Sequence, residues 1–323
     1  MQGDENDPPT LPMTPGERSL TTGPTELVEP TKALEGYAFG AIIGKGGIGE
    51  VVAAHDLRIG RDVAIKRLRD AAPTEQQVNR FLREARIQAR LEHPAIPPVH
   101  ELGRDRDGQP YFAMKRISGV TLAEMLSTSQ PAARPRLLRA FAEVCEAIDF
   151  AHTRGVGHRD LKPGNLILGE FGDVYVIDWG LARVVGEAST EVVTDDIDSL
   201  EVKTGDLLGT PGYMAPEQLQ KAAEAGRPVD IYALGSILFE ILAGEPLHPR
   251  GANALPSTVG DEAITSPARR RPDRAVAPEL DAICAAMLEM EPATRPTARR
   301  VADRIQAFVD GDRDVARRKT RAV

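Results

Sequence analysis

Four groups of residues carry side chains suited to holding a phosphate chain, a hard cation and a hydroxyl. The first, Gly44-Lys45-Gly46-Gly47-Ile48-Gly49-Glu50-Val51, spaces glycines at 44, 46 and 49 between two β-branched runs. Such a turn can bring backbone N–H groups against phosphate oxygens, because no Cβ blocks the approach. Dinucleotide folds and ordinary hairpins use similar triplets, but here a strand follows where a dinucleotide fold would place a helix. In the second group, Lys66 ends the apolar run Val63-Ala64-Ile65, and Glu84 follows on an amphipathic segment. A half-buried ammonium requires a carboxylate partner, and Glu84 is placed to provide it. The third group, His158 to Asn165, sets a carboxylate, an ammonium and an amide in one short stretch. Asp160 can accept a hydroxyl proton, Lys162 can neutralise anionic charge, and Asn165 can ligate a cation. The fourth, Asp178-Trp179-Gly180, follows the apolar run Val174–Ile177, and a hard cation bridging phosphates takes carboxylate oxygens such as those of Asp178.

Together with Ala215-Pro216-Glu217, this ordered set resembles the protein-kinase signature. Over roughly residues 37–309 the chain is most similar to the bacterial relatives of eukaryotic serine/threonine kinases, as Tyr213-Met214-Ala215-Pro216-Glu217-Gln218 also suggests. The resemblance implies ATP with Mg2+ as cofactors, Mn2+ being a substitute, and transfer of the γ-phosphate to Ser/Thr hydroxyls of proteins, its own activation segment included. Gly44, Lys45, Gly46, Gly47, Ile48 and Gly49 would cover the phosphates. Val51 and Ala64 would roof the adenine and Ile167 floor it, with Met114 and Ile117 lining the same site. The Lys66–Glu84 pair would position the α- and β-phosphates. Asp160 and Lys162 would act at the transferred group, while Asn165 and Asp178 would hold the metal. Thr210 resembles the residue that hydrogen-bonds Asp160 and Lys162, a serine/threonine-type pattern. Arg159 resembles the arginine that pairs with a phosphothreonine, for which Thr204, six residues before Thr210, is the first candidate, ahead of Thr194 and Ser199. Glu217 with Arg295 resembles a buried ion pair that ties the substrate loop to the helical lobe, and Asp230 the residue that braces the catalytic loop. One departure is plain: Trp179, the lone tryptophan, stands where the family has Phe.

An α+β, two-lobed fold follows. Strand patterns at 51–54, 63–65, 99–102 and 111–114, with a helix over 76–91, predict a small β-rich lobe at about 35–115. Helical patterns at 121–128, 134–154, 225–244, 278–290 and 297–309 predict a larger lobe at about 119–309, with short strands at 166–168 and 174–177. Residues 1–34 hold six prolines and few large apolar side chains, so they are expected to be disordered. Residues 310–323 read as a charged tail, and Asp310-Gly311-Asp312 as the point where the last helix stops.

A net charge of −8 argues against binding nucleic acid through its phosphates. The two cysteines, Cys145 and Cys284, sit in apolar helical patterns and read as buried, reduced thiols. The longest apolar run, Ile231–Gly244, is too short for a membrane span and is broken by Glu240, which makes it a core helix. With no signal pattern at the N-terminus, a cytoplasmic setting is expected. Two other readings compete: a pseudokinase or nucleotide-binding scaffold, and a small-molecule phosphotransferase. Loss of Lys66, Asp160, Asn165 or Asp178 would favour the first, and absence of Ala215-Pro216-Glu217 the second; all are present.

Overall fold

The computed structural model describes residues 34–128, 134–184, 209–220, 226–250, 254–259 and 264–321. β1 (Tyr37–Lys45), β2 (Gly49–Asp56), β3 (Arg61–Leu68), β4 (Val99–Arg104) and β5 (Pro110–Lys115) form an antiparallel sheet in the order β1-β2-β3-β5-β4. Strand alternation divides its two faces. Val63, Ile65 and Ala113 pack with Tyr37, Ala54 and Tyr111 on one side. Leu68 and Phe112 meet Phe81 and Ala85 on the other, where α1 (Glu75–Ala89) crosses the sheet. Lys66 shares the α1 face with Leu68. Thr74 caps α1 through a capping box with Gln77, so the helix that carries Glu84 starts at a defined residue.

The second lobe follows residues 116–119. β6 (Val120–Thr121), β8 (Leu166–Leu168) and β9 (Val174–Val176) form one small sheet, and β7 (Val156–Gly157) pairs with β10 (Arg183–Val184). α2 (Leu122–Ser127) and α3 (Arg134–Thr153) precede the stretch His158–Asn165. Beyond it come α4 (Pro216–Gln220), α5 (Pro228–Ala243), α6 (Ala254–Val259), α7 (Pro267–Arg270), α8 (Pro278–Met287) and α9 (Ala298–Arg321). Every residue of α5 from Val229 to Ala243 is buried, as a helix apolar on all sides requires. It ends at Gly244, whose φ of 74° is the left-handed cap that glycine adopts without strain. The Arg271 and Arg274 guanidiniums donate to the open carbonyls of Ala243 and Leu242. The Ile231–Gly244 run is thus core, and among the described residues no helix is long and apolar enough to cross a membrane. Both cysteines are buried, and burial pushes their thiols up.

Two expectations need correcting. The last helix does not stop before Asp310 but runs on to Arg321. A single interior glycine costs a helix only about 1 kcal/mol, and without a proline behind it Asp310-Gly311-Asp312 is no stop signal. The helix expected from 225 begins at Pro228, which sits in the first turn where its missing N–H is harmless.

Candidate active site

The strand-borne part of the site is set by register. β2 and β3 pair Val51 with Lys66, and β3 and β5 pair Ala64 with Met114, which puts these four side chains in one neighbourhood below the glycine-rich turn. Gly49 lies so close to β3 that a Cβ there would stand 2.9 Å from the Arg67 carbonyl oxygen. Gly46 N–H donates to Gly49 O at 2.8 Å and closes the turn that Gly44, Lys45, Gly47 and Ile48 complete. Lys66 Nζ donates to Glu84 Oε1, and Asp178 Oδ1 lies 3.7 Å from it. Burial works against the Lys66 charge, but Glu84 and Asp178 outweigh it and hold the ammonium above its usual pKa. Burial raises the Glu84 carboxyl, with Lys66 pulling the other way.

Asp230, fully buried near the start of α5, organises the next part. Its carboxylate accepts from the backbone N–H of His158 at 2.8 Å, that of Arg159 at 2.7 Å, and His152 Nε2 at 2.8 Å. Burial would raise its pKa; these donors, His152 first, hold it below the usual carboxylate value. The two backbone bonds stabilise Arg159 at φ 69°, a conformation few side chains adopt, and so fix the direction in which Asp160 leaves the loop. Asp160 Oδ1 accepts from Thr210 Oγ1 at 2.7 Å and Oδ2 from Lys162 Nζ at 3.0 Å, while Lys162 also donates to Thr210 Oγ1 at 2.7 Å. Asn165 donates through Nδ2 to the Asp160 carbonyl at 2.8 Å, which leaves its own carbonyl oxygen available. That oxygen and the Asp178 carboxylate are hard donors of the kind a magnesium ion takes.

Asp178 follows β9 at φ 63°. Its pKa would rise with burial, but Lys66, His158, Lys162 and the Gly180 N–H together keep it low. A Cβ on Gly180 would press to 3.2 Å from Asp178 Oδ1 and 3.3 Å from Glu84 Oε2, so glycine lets the two carboxylates approach one lysine. Trp179 is fully buried in the core of the helical lobe, and its indole N–H donates to Val176 O at 3.2 Å. Its ring lies 4.6 Å from that of His158. His158 takes the Asp160 N–H at Nδ1 and reaches Ile177 O with Nε2, the pattern of the tautomer protonated at Nε2. Ile167 on β8 and Ile117, three residues past Met114, are half-buried.

Residues 37–305 match the protein kinase domain. The chain belongs to the protein kinase family. It is 36% identical over 275 residues to serine/threonine-protein kinase PknB of Mycolicibacterium smegmatis, which covers 83% of this chain and 42% of that protein. It is also 36% identical over 281 residues to serine/threonine-protein kinase PknD of Chlamydia pneumoniae, 81% of this chain and 30% of the relative. With PknB of Mycobacterium tuberculosis the identity is 37% over 224 residues, 68% of this chain and 34% of the relative. The chain therefore spans less than half the length of these relatives.

Two further features of the kinase domain connect the segment after Thr210 to its surroundings. Arg295, its side chain wholly buried, makes a two-pronged contact with Glu217 at 2.6 and 3.0 Å and also donates to the carbonyls of Glu289 and Pro228. Gln218 accepts the Ala215 N–H and donates to Arg159 O at 3.1 Å, joining α4 to the His158–Asn165 loop. No spacing in the sequence singles out Gln218. Arg80 and Arg83 of α1, Arg159, and Arg183 of β10 line a cavity beside Trp179 and Gly180, with Arg80 Nε donating to Gly180 O at 3.4 Å. Thr204, Thr194 and Ser199 lie outside the described residues.

Proposed function

We propose that this chain is a serine/threonine protein kinase that transfers the γ-phosphate of ATP, with Mg2+, to Ser/Thr hydroxyls of protein substrates. The observation that carries the reading is the closed triangle of Asp160, Lys162 and Thr210, with Asn165 anchored to the same loop. A carboxylate held from two sides presents a fixed oxygen to a hydroxyl, and takes its proton as the oxygen attacks phosphorus. Lys162 offsets charge on the transferred group, and Lys66, held by Glu84, orients the α- and β-phosphates. Asn165 and Asp178 would hold Mg2+, which would supply positive charge to offset that developing on the transferred group. Gly44, Lys45, Gly46, Gly47, Ile48 and Gly49 would cover the phosphates, and Val51, Ala64, Met114, Ile117 and Ile167 enclose the adenine. Glu217 with Arg295, and Asp230, are read as the supports of the substrate platform and the catalytic loop.

In this reading residues 35–309 are the kinase domain, the chain works in the cytoplasm where ATP is present, and nucleic acid is not a partner. Autophosphorylation at Thr204 belongs to the same proposal. Glu201 and Asp206 flank Thr204 and would repel a phosphate, so several cations must converge on it. The arginines at 80, 83, 159 and 183 around one cavity supply such a convergence.

The test is incubation with radiolabelled ATP, Mg2+ and a generic basic protein, beside Asp160→Asn and Thr204→Ala variants, with phosphosites mapped by mass spectrometry. Label on Ser or Thr in the wild type and none with Asp160→Asn is expected. A wild type that binds ATP yet transfers nothing would make it a scaffold. Full activity in a Thr204→Ala enzyme carrying no segment phosphate would end the regulatory part.

A further inference from the structure

β3 presents Lys66 toward α1, and the next residues on its opposite face are Arg67 and, immediately past the strand, Arg69. Both reach back over the glycine-rich hairpin. Arg67 lies directly across from Glu50 in the register, contacts its carboxylate at 2.8 Å, and stacks 5.3 Å from the Phe39 ring, bracing the root of the hairpin. Arg69 holds the tip twice: its backbone N–H donates to Ile48 O at 3.2 Å and its guanidinium to Gly47 O at 2.8 Å.

Those two carbonyls belong to consecutive peptide units, and no cis peptide bond is present among the described residues. In a planar trans unit the N–H points opposite to the C=O. Fixing Gly47 O and Ile48 O toward Arg69 therefore turns the N–H groups of Ile48 and Gly49 away from it. Successive backbone N–H groups set in this way are the donors with which a loop receives an anion. Resting on the kinase reading above, we infer that Arg69 is a positioning residue for phosphate binding: by gripping two carbonyls from the face opposite Lys66 it pre-aims the tip amides at the phosphates of the nucleotide. Arg69 need not touch the nucleotide to do this.

The experiment compares wild type, Arg69→Ala and Arg69→Lys by calorimetric titration with ATP·Mg2+ and with adenosine, and by hydrogen exchange over residues 44–51 without nucleotide. Arg69→Ala is expected to weaken ATP·Mg2+ binding about fivefold, the effect of one exposed hydrogen bond, and to leave adenosine binding unchanged. Arg69→Lys, which keeps a cationic donor within reach of Gly47 O, should recover most of that loss. Exchange at the tip should accelerate in Arg69→Ala, an effect that mere loss of a positive charge near the phosphates would not produce. Unchanged ATP·Mg2+ affinity in Arg69→Ala, a parallel loss for adenosine, or unchanged tip exchange would each overturn the inference. A wild type that prefers ATP·Mg2+ no more than adenosine would instead sink the kinase reading itself, so the two failures are distinguishable.

Discussion

Replacing Lys66 by methionine would leave the Glu84 carboxylate, 3% exposed, facing a side chain that carries no charge. Removing one member of a buried ion pair costs about 3–5 kcal/mol, because the survivor keeps its burial penalty without compensation. Glu84→Gln should cost less, roughly 1–3 kcal/mol by the same reasoning, since Lys66 retains Asp178 at 3.7 Å. The double variant, with Met beside Gln, buries no unpaired charge. Its stability should lie within about 2 kcal/mol of wild type, so the two single losses, about 4–8 kcal/mol together, exceed that of the double by at least about 2 kcal/mol. Activity should follow a related but distinct pattern. On the proposed function Lys66→Met loses the charge that would orient the phosphates, and adding Glu84→Gln to it should lower kcat/KM little further, as expected for residues that act as a unit. The assays are urea unfolding and steady-state kinetics on all four proteins. If the two losses add in free energy, in both stability and kcat/KM, the pair is not a functional unit and the reasoning fails.

Asp160→Asn should reduce kcat by at least about 10²-fold while ATP affinity persists, whereas Asp178→Asn should abolish Mg2+-dependent nucleotide binding; near-normal turnover in either one refutes the division of roles. Trp179→Phe should retain activity but lose roughly 2 kcal/mol of stability, about half from the hydrogen bond to Val176 O and half from the vacated ring volume, as read from thermal unfolding. Fluorescence of this single tryptophan should respond to ATP·Mg2+, and an unchanged spectrum at saturation would separate it from the proposed metal site. His248, buried between Tyr232 and Ser257, has its pKa lowered to about 4, first by burial and then by Arg270. Between pH 6.5 and 4 the unfolded chain binds a proton there that the folded one does not, so stability is full above about pH 6.5 and falls as the pH drops toward 4. The loss amounts to roughly 3 kcal/mol, and urea midpoints measured across that range should show it in wild type and lack most of it in His248→Gln.

Much of the local chemistry was legible in the chain alone. Asp160, Lys162 and Asn165 meet because they lie within six consecutive residues, and β3 carries Lys66 because the β-branched apolar run Val63-Ala64-Ile65 favours a strand. The pairing of Lys66 with Glu84 was also within reach, since a strand end and an amphipathic helix 18 residues apart can bury only certain faces. What spacing could not supply are contacts between segments far apart in sequence. Thr210 closes on Asp160 across 50 residues, Asp230 reaches the His158 and Arg159 amides across 72 and 71, and Arg295 reaches Glu217 across 78. For these the resemblance to a family named the residues, but periodicity carried no sign of them. An arginine in a sequence reads as a surface charge, and only the packed lobe provides the carbonyls of Glu289 and Pro228 that let Arg295 lie fully buried. The tip of the glycine-rich turn tells the same story: its glycines announce a close approach, while the guanidinium that orients its amides comes from the end of another strand. Helix α9 errs in the opposite direction, running past a glycine that looked like a terminus, because one weak residue changes helix free energy by less than the neighbouring turns contribute. Short-range geometry follows from residue type and offset, whereas which distant groups become partners is decided when the core closes and each buried polar atom must find a donor or acceptor.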